Sequence, residues 1–195
     1  KGKIIKHRQN YSQSSAILSG ITNSRYENVI IMDGDLQNDT SDIHRLVEKF
    51  EKGFDLVVGN RVNRKDGFLT KKFPSYIANS LVRFFFNSNI KDNGCALKVF
   101  KKKLISFDYL WGDFHRLLSS RMDNLGFKID QIDINHRERK EGKSNYGLSR
   151  IYNVLVDIIF QKFFFNYERK VIYLFGKLSI YSFFCFIISL IYMLH

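Results

Sequence analysis

The chain has 195 residues, of which 45% are hydrophobic and 15% aromatic, and its formal charge is +12. That much apolar material excludes a disordered chain and suffices for one compact domain. So basic a balance suits a membrane surface, a phosphate-bearing substrate or nucleic acid, but the last needs a basic stripe on a binding module, and the lysines and arginines are scattered, with denser groups at 61–72, 98–103, 137–143 and 162–170.

In chain order, the sequence opens Lys-Gly-Lys without a Met, in what reads as the end of a strand, so a longer parent protein is expected. "NVIIM" (28–32) is a short continuous apolar run of the kind found in strands buried on both faces. Thr40 is an N-cap candidate for a helix carrying Ile43, Leu46, Val47 and Phe50 at helical spacing and closed by Gly53. "FDLVVGN" (54–60) reads as a strand, 75–86 as a helix starting after Pro74, 114–126 as a helix ending at Gly126, and 127–134 as a further strand. Residues 148–165 read as a long apolar amphipathic helix. Alternating strands and helices imply an α/β sheet with parallel strands.

The tail, residues 171–194, is apolar throughout except for Lys177. Its length of 24 residues spans about 36 Å as helix, against a hydrocarbon core of about 30 Å, so a transmembrane helix is expected. Lys177 lies near its start, where it can snorkel. Lys162, Arg169 and Lys170 precede it and place that side in the cytoplasm. Cys95 in a polar stretch and Cys185 in the apolar tail suit neither a disulfide nor a zinc site, which fits a reducing, cytoplasm-facing domain.

"IIMDGDLQND" (30–39) sets a strand directly against paired carboxylates, Asp33 and Asp35, with Gln37 two positions on. In open α/β sheets ligands sit beyond the carboxyl ends of strands, which is where Asp33 falls. Two carboxylates roughly 6 Å apart repel by about 3 kcal/mol at an effective dielectric near 20. A divalent cation, Mg²⁺ or Mn²⁺, removes that repulsion and takes the rest of its shell from substrate phosphates, with the Gln37 carbonyl oxygen as a further candidate ligand.

These residues also carry a resemblance. "MDGDLQND" resembles the D-x-D-L-Q motif of family 2 glycosyltransferases, specifically the polyprenyl-phosphate sugar transferases typified by dolichol-phosphate mannose synthase. "RQNYSQSSAILSGI" (8–21) is similar to the family's N-x-G-x-x-x-A-x-x-x-G segment, with Tyr11 where Gly is usual. "VVGNR" (57–61) is similar to its strand ending in G-x-R, and "DNGCALKVFKK" (92–102) to a stretch with an acidic residue beside the acceptor. "HRERKEGKSNYG" (136–147) is similar to a late basic loop, which in the family also precedes an amphipathic helix and a membrane span. The motifs follow the family's order and cover almost the whole chain.

The resemblance implies an α/β fold of the GT-A type, partial because the first strands and their nucleotide-binding residues would precede Lys1. It implies a catalytic domain over 1–147, an interfacial amphipathic helix over 148–169 and a transmembrane helix over 170–195. The implied activity is inverting transfer of a hexose from a UDP- or GDP-linked sugar to a polyprenyl phosphate, undecaprenyl or dolichyl, at the cytoplasmic membrane face. Asp33, Arg139 and Lys143 would bind the donor, and the two basic residues would close over it as a lid with Gly142 as hinge. Arg61, Lys72 and Ser75 would hold the acceptor phosphate, although family members usually carry Arg where Lys72 stands. Asp92 takes the place of the family's proposed base. His115, His136 and Asn79 read as structural. A polysaccharide synthase of the same fold would usually carry a Q-x-x-R-W motif, which is absent; an inactive remnant is the other alternative. Sugar, nucleotide and oligomeric state, homo-oligomer included, are not legible.

Overall fold

The computed structural model describes residues 2–62, 73–105, 114–137, 149–167 and 170–194. Two compact units emerge, Lys1–Ile158 and Ile159–His195. The first holds a four-stranded mixed sheet of β1 (Asn28–Ile31), β2 (Leu56–Arg61), β3 (Lys98–Lys101) and β4 (Ile129–Ile134), in the order β1-β3-β2-β4. β2 and β4 are parallel, whereas β3 runs antiparallel to both its neighbours. The parallel sheet expected from the alternation is therefore corrected. β3 is four residues long with a lysine at each end, which interrupts the apolar pattern that would have announced it. β1, at the edge of the described sheet, also differs from expectation: Val29 and Ile31 are half-buried while Ile30 stays 38% exposed. Residues 2–11 form neither helix nor strand.

α1 (Gln13–Thr22), α2 (Asp42–Phe50), α3 (Phe73–Phe86) and α4 (Phe114–Asn124) accompany the sheet. α1 lay unrecognised within the motif segment, and its N-cap Ser12 accepts a hydrogen bond from the Ser15 amide. α2 starts two residues after Thr40, because Asp39 draws in the Ser41 amide and hydroxyl at 3.1 and 2.9 Å and tightens the entry turn. Pro74 falls in the first turn of α3, where its missing donor costs nothing. The core joins Leu46 and Phe50 of α2 to Val57, Cys95, Leu97, Val99 and Ile134. Gly59 of β2 is required there, since a Cβ would come within 2.6 Å of Ile134 Cδ1 and 3.1 Å of Cys95 Sγ.

α5 (Ser149–Tyr167) crosses the boundary between the units. Val156, Ile159, Phe160 and Phe163 form an exposed apolar stripe along it at i, i+3, i+4 and i+7. α6 (Val171–Leu194) has the length and hydropathy to cross a membrane, and none of its apolar window is buried.

Candidate active site

The register of the sheet gathers the motifs at one edge. β1, β2 and β4 end there and β3 begins there, with Lys98 opposite both Ile31 and Val58. Asp33 follows β1, Arg61 closes β2, Asp92 and Gly94 lead into β3, and His136 follows β4.

The carboxylate loop is tightly organised. Leu36 takes a left-handed backbone (φ 61°) and is 72% exposed, a conformation costly for a side chain of its kind. That turn brings the Gln37 amide back onto Asp35 Oδ1 at 3.2 Å. Asp33 and Asp35 are half-buried, and Asp33 Oδ1 accepts from Gln13 Nε2 at 2.9 Å. Burial first, and then the charge of Asp35, push the Asp33 carboxyl above its ordinary pKa, while Arg61 and Lys98 pull the other way. Two neighbouring half-buried carboxylates are a hard oxygen donor set that fits a divalent cation. Among the described residues no three His, Cys, Asp or Glu side chains converge, so the remaining ligands would be substrate oxygens and water. The side-chain amide of Gln37 donates to the Arg137 carbonyl at 3.2 Å, which holds this expected ligand against the neighbouring strand end.

That contact belongs to a seam. The Arg137 amide donates to the Gln37 carbonyl at 2.8 Å, Asn38 pairs with His136 as an antiparallel bridge, and Arg137 Nη2 donates to Asp39 Oδ2 at 2.6 Å. The chain thus leaves β4 alongside the carboxylate pair and enters the basic loop there. Arg139 and Lys143 themselves, like Lys72, lie outside the described residues.

Arg61 and Asp92, expected in separate roles, form one ion pair. Arg61 Nε donates to Asp92 Oδ2 at 2.6 Å and Nη2 to Oδ1 at 2.8 Å, while the Arg61 amide reaches Oδ2 at 3.3 Å. The side chains are 15% and 8% exposed, so this is a desolvated bidentate pair. Gly94 lies against it: a Cβ there would sit 2.9 Å from Arg61 Nη2. Ser75 is half-buried in the first turn of α3. On the same helix Asn79 Oδ1 accepts the Asn93 amide at 3.1 Å, a packing tie between α3 and the approach to β3.

Sequence reasoning missed Gln13 and Lys98. The Lys98 side chain is fully buried, and its ammonium donates to the carbonyls of His115 at 3.1 Å and Asn93 at 3.5 Å. A lysine inside the apolar run from Cys95 to Phe100 was the available signal. His115 Nδ1 pairs with the Ser14 hydroxyl at 2.9 Å, tying α4 to α1.

Comparison with known proteins adds three findings. The family described as Glycosyl transferase family 2 matches residues 1–114. Over 181 residues the chain is 34% identical to a dodecaprenyl-phosphate galacturonate synthase of Rhizobium johnstonii, covering 91% of this chain and 54% of that protein. It is 31% identical to an undecaprenyl-phosphate 4-deoxy-4-formamido-L-arabinose transferase of Shewanella sediminis, covering 80% of this chain and 46% of the relative. The chain thus spans about half the length of the curated relatives it matches. Glucosyl-3-phosphoglycerate synthase from Mycobacterium tuberculosis superimposes with a TM-score of 0.58 at 16% identity, over 80% of this chain and 56% of that one, which places the fold as a GT-A-like α/β arrangement with a mixed sheet.

Proposed function

This chain belongs to glycosyl transferase family 2, and on that premise we propose that it transfers a sugar from a nucleotide diphosphate to a polyprenyl phosphate with inversion. The observation that carries the reading is the gathering of the Asp33–Asp35 pair, the Arg61–Asp92 pair and the basic-loop entry at one sheet edge. Both relatives are named for polyprenyl-phosphate acceptors, which supports the acceptor class.

The chemistry is a single displacement. A phosphate oxygen of the lipid forms a bond to the anomeric carbon as the bond from that carbon to the diphosphate breaks, and the nucleoside diphosphate departs. A cation held by Asp33 and Asp35 would neutralise the charge developing on the leaving group. Arg139 and Lys143, which follow Arg137 in the sequence, would add donors there. A lipid monophosphate is largely ionised at neutral pH, its second pKa being near 6, so the nucleophile needs little help from a base. Asp92, with both oxygens engaged by Arg61, then serves as a positioning residue that aims the guanidinium at the acceptor phosphate, with Lys72 and Ser75 as further contacts.

The exposed stripe of α5 and the unburied apolar length of α6 support work at a bilayer, where such an acceptor resides. Lys162, Arg169 and Lys170 ahead of α6 favour a cytoplasmic catalytic unit.

The test is transfer to undecaprenyl phosphate in detergent by the full-length protein, with UDP- and GDP-sugars and Mn²⁺. Transfer is expected to vanish with EDTA and in Asp35→Asn. A folded protein that binds nucleotide sugar yet leaves the lipid unmodified would move the acceptor to a glycan.

A further inference from the structure

Beside Asp33 a pocket opens between the first turn of α1, the end of β1, residues 93–98 and the first turn of α4. Its cavity of about 70 Å³ has room for a few waters or one small polar group, not for a sugar ring. Gln13, Asp33, Asn93, His115 and Arg116 line it together with Lys98, whose ammonium is bonded to the carbonyls of Asn93 and His115.

Lys98 is 1% exposed. Its ammonium has three N–H donors, of which two go to carbonyl oxygens, one of these at the 3.5 Å limit. Among the described residues no carboxylate lies within ion-pair distance of it, and the neighbouring Asp92 is taken by Arg61. Buried charges are ordinarily paired, because carbonyl dipoles replace lost hydration only in part. Burial accordingly lowers the Lys98 pKa to about 8, with Cys95, Asp92 and Asp33 opposing that fall. A cation on Asp33 would remove the last of these compensations. The pocket thus presents a positive charge in want of an anion.

We propose that this pocket receives the carboxylate of an acidic donor sugar, a hexuronate, with Lys98 as its counter-charge. The inference rests on the nucleotide-sugar reading above. The diphosphate belongs at Asp33 and Asp35, so a small group reaching the adjoining pocket belongs to the sugar that the diphosphate carries. The lipid phosphate is a larger dianion that needs open approach, and it has Arg61 at the same edge.

The experiment measures binding, without lipid, to the full-length protein in detergent with Mn²⁺. UDP-galacturonate and UDP-glucuronate are compared with UDP-galactose and UDP-glucose, and GDP-mannuronate with GDP-mannose. The uronate of at least one pair is expected to bind about 10- to 100-fold more tightly than its neutral partner, the range for a hydrogen bond to a charged group. Lys98→Met, close in volume, is expected to bring that ratio near unity, and Lys98→Arg retains part of the ratio. Equal binding of uronate and neutral sugar by the unmodified protein overturns the proposal, and needs no variant. So does an unchanged ratio in a folded Lys98→Met. Tight uronate binding without lipid modification would instead overturn the acceptor reading and leave the pocket's assignment standing.

Discussion

Arg61 and Asp92 stand 31 positions apart, and their pairing depends on β2 and the start of β3 lying side by side. Asp92→Asn keeps the shape but leaves a largely buried guanidinium without its counter-charge. The expected cost is on the order of 3 kcal/mol in the unfolding free energy measured with urea, with a raised KM for the lipid phosphate. Gly94→Ala tests position apart from charge. Its Cβ would meet Nη2 of a guanidinium pinned by two hydrogen bonds, so about a tenfold loss of transfer is expected with less lost stability than in Asp92→Asn. An unchanged acceptor KM in both variants would remove Arg61 from the phosphate site. Asp33 and Asp35 were legible as candidates because two carboxylates so close together at a strand end repel, and Arg61 and Asp92 because the segments that hold them resemble family 2 motifs. The partnership of Arg61 and Asp92 was not, since no local pattern encodes a contact across a sheet. Lys98 was hidden for a related reason: a lysine reads alike in sequence whether its ammonium meets water or is walled in.

At the scale of elements, β3 shows how packing decides what periodicity leaves open. Two lysines in four residues suggest surface, yet Lys98 points inward and Lys101 finds Asp55. Asp55, just ahead of β2, accepts Lys101 Nζ at 2.6 Å and the Lys128 amide at 3.1 Å, so one carboxylate ties β3 and the approach to β4 to β2. The Lys101 hydrogen bond, with the Lys128 amide behind it, holds the Asp55 carboxyl below its ordinary range. A folded pKa below the unfolded one gives stability that is present above the unfolded value near 4 and fades as pH falls through the folded one. Asp55→Asn should therefore cost about 0.5–1 kcal/mol at pH 7, a figure kept low because Lys101 is partly solvated, and the gap from the unmodified protein should close in acid. A gap that is constant with pH would mean that only shape was lost. Gly59→Ala acts on packing alone. With Ile134 and Cys95 already in the way, about 1–3 kcal/mol of destabilisation is expected in urea unfolding. The long helices and β2 and β4 were legible from unbroken periodic or apolar runs. α1 was not, because its serines and glycine read equally well as a loop.

For the molecule as a whole, local and global information coincide best at the tail. An apolar run with a single charge fixes a helix by itself, and α6 spans Val171–Leu194, the stretch singled out from hydropathy. α5 offers a second, weaker means of meeting a bilayer: its stripe of Val156, Ile159, Phe160 and Phe163, together with a chain charge of +12. The two modes differ in salt dependence. Burial of an apolar helix of this length resists salt and alkaline carbonate, whereas attraction of basic groups to anionic headgroups is screened within about 8 Å at physiological ionic strength. A protein ending at residue 170 should therefore remain on anionic vesicles at low salt and leave them at about 1 M salt, where the screening length is about 3 Å. The protein with α6 should stay in the membrane pellet under both conditions. Phe160→Ser with Phe163→Ser in the shortened protein should weaken even the low-salt binding, because the basic surface would then act without apolar anchorage. Retention of the shortened protein at high salt would shift anchorage from α6 to the stripe. Indifference to the two Phe changes would leave charge alone as the attraction. In the expected case, α6 keeps the site at the surface that supplies its lipid, and α5 adds a contact that responds to headgroup charge.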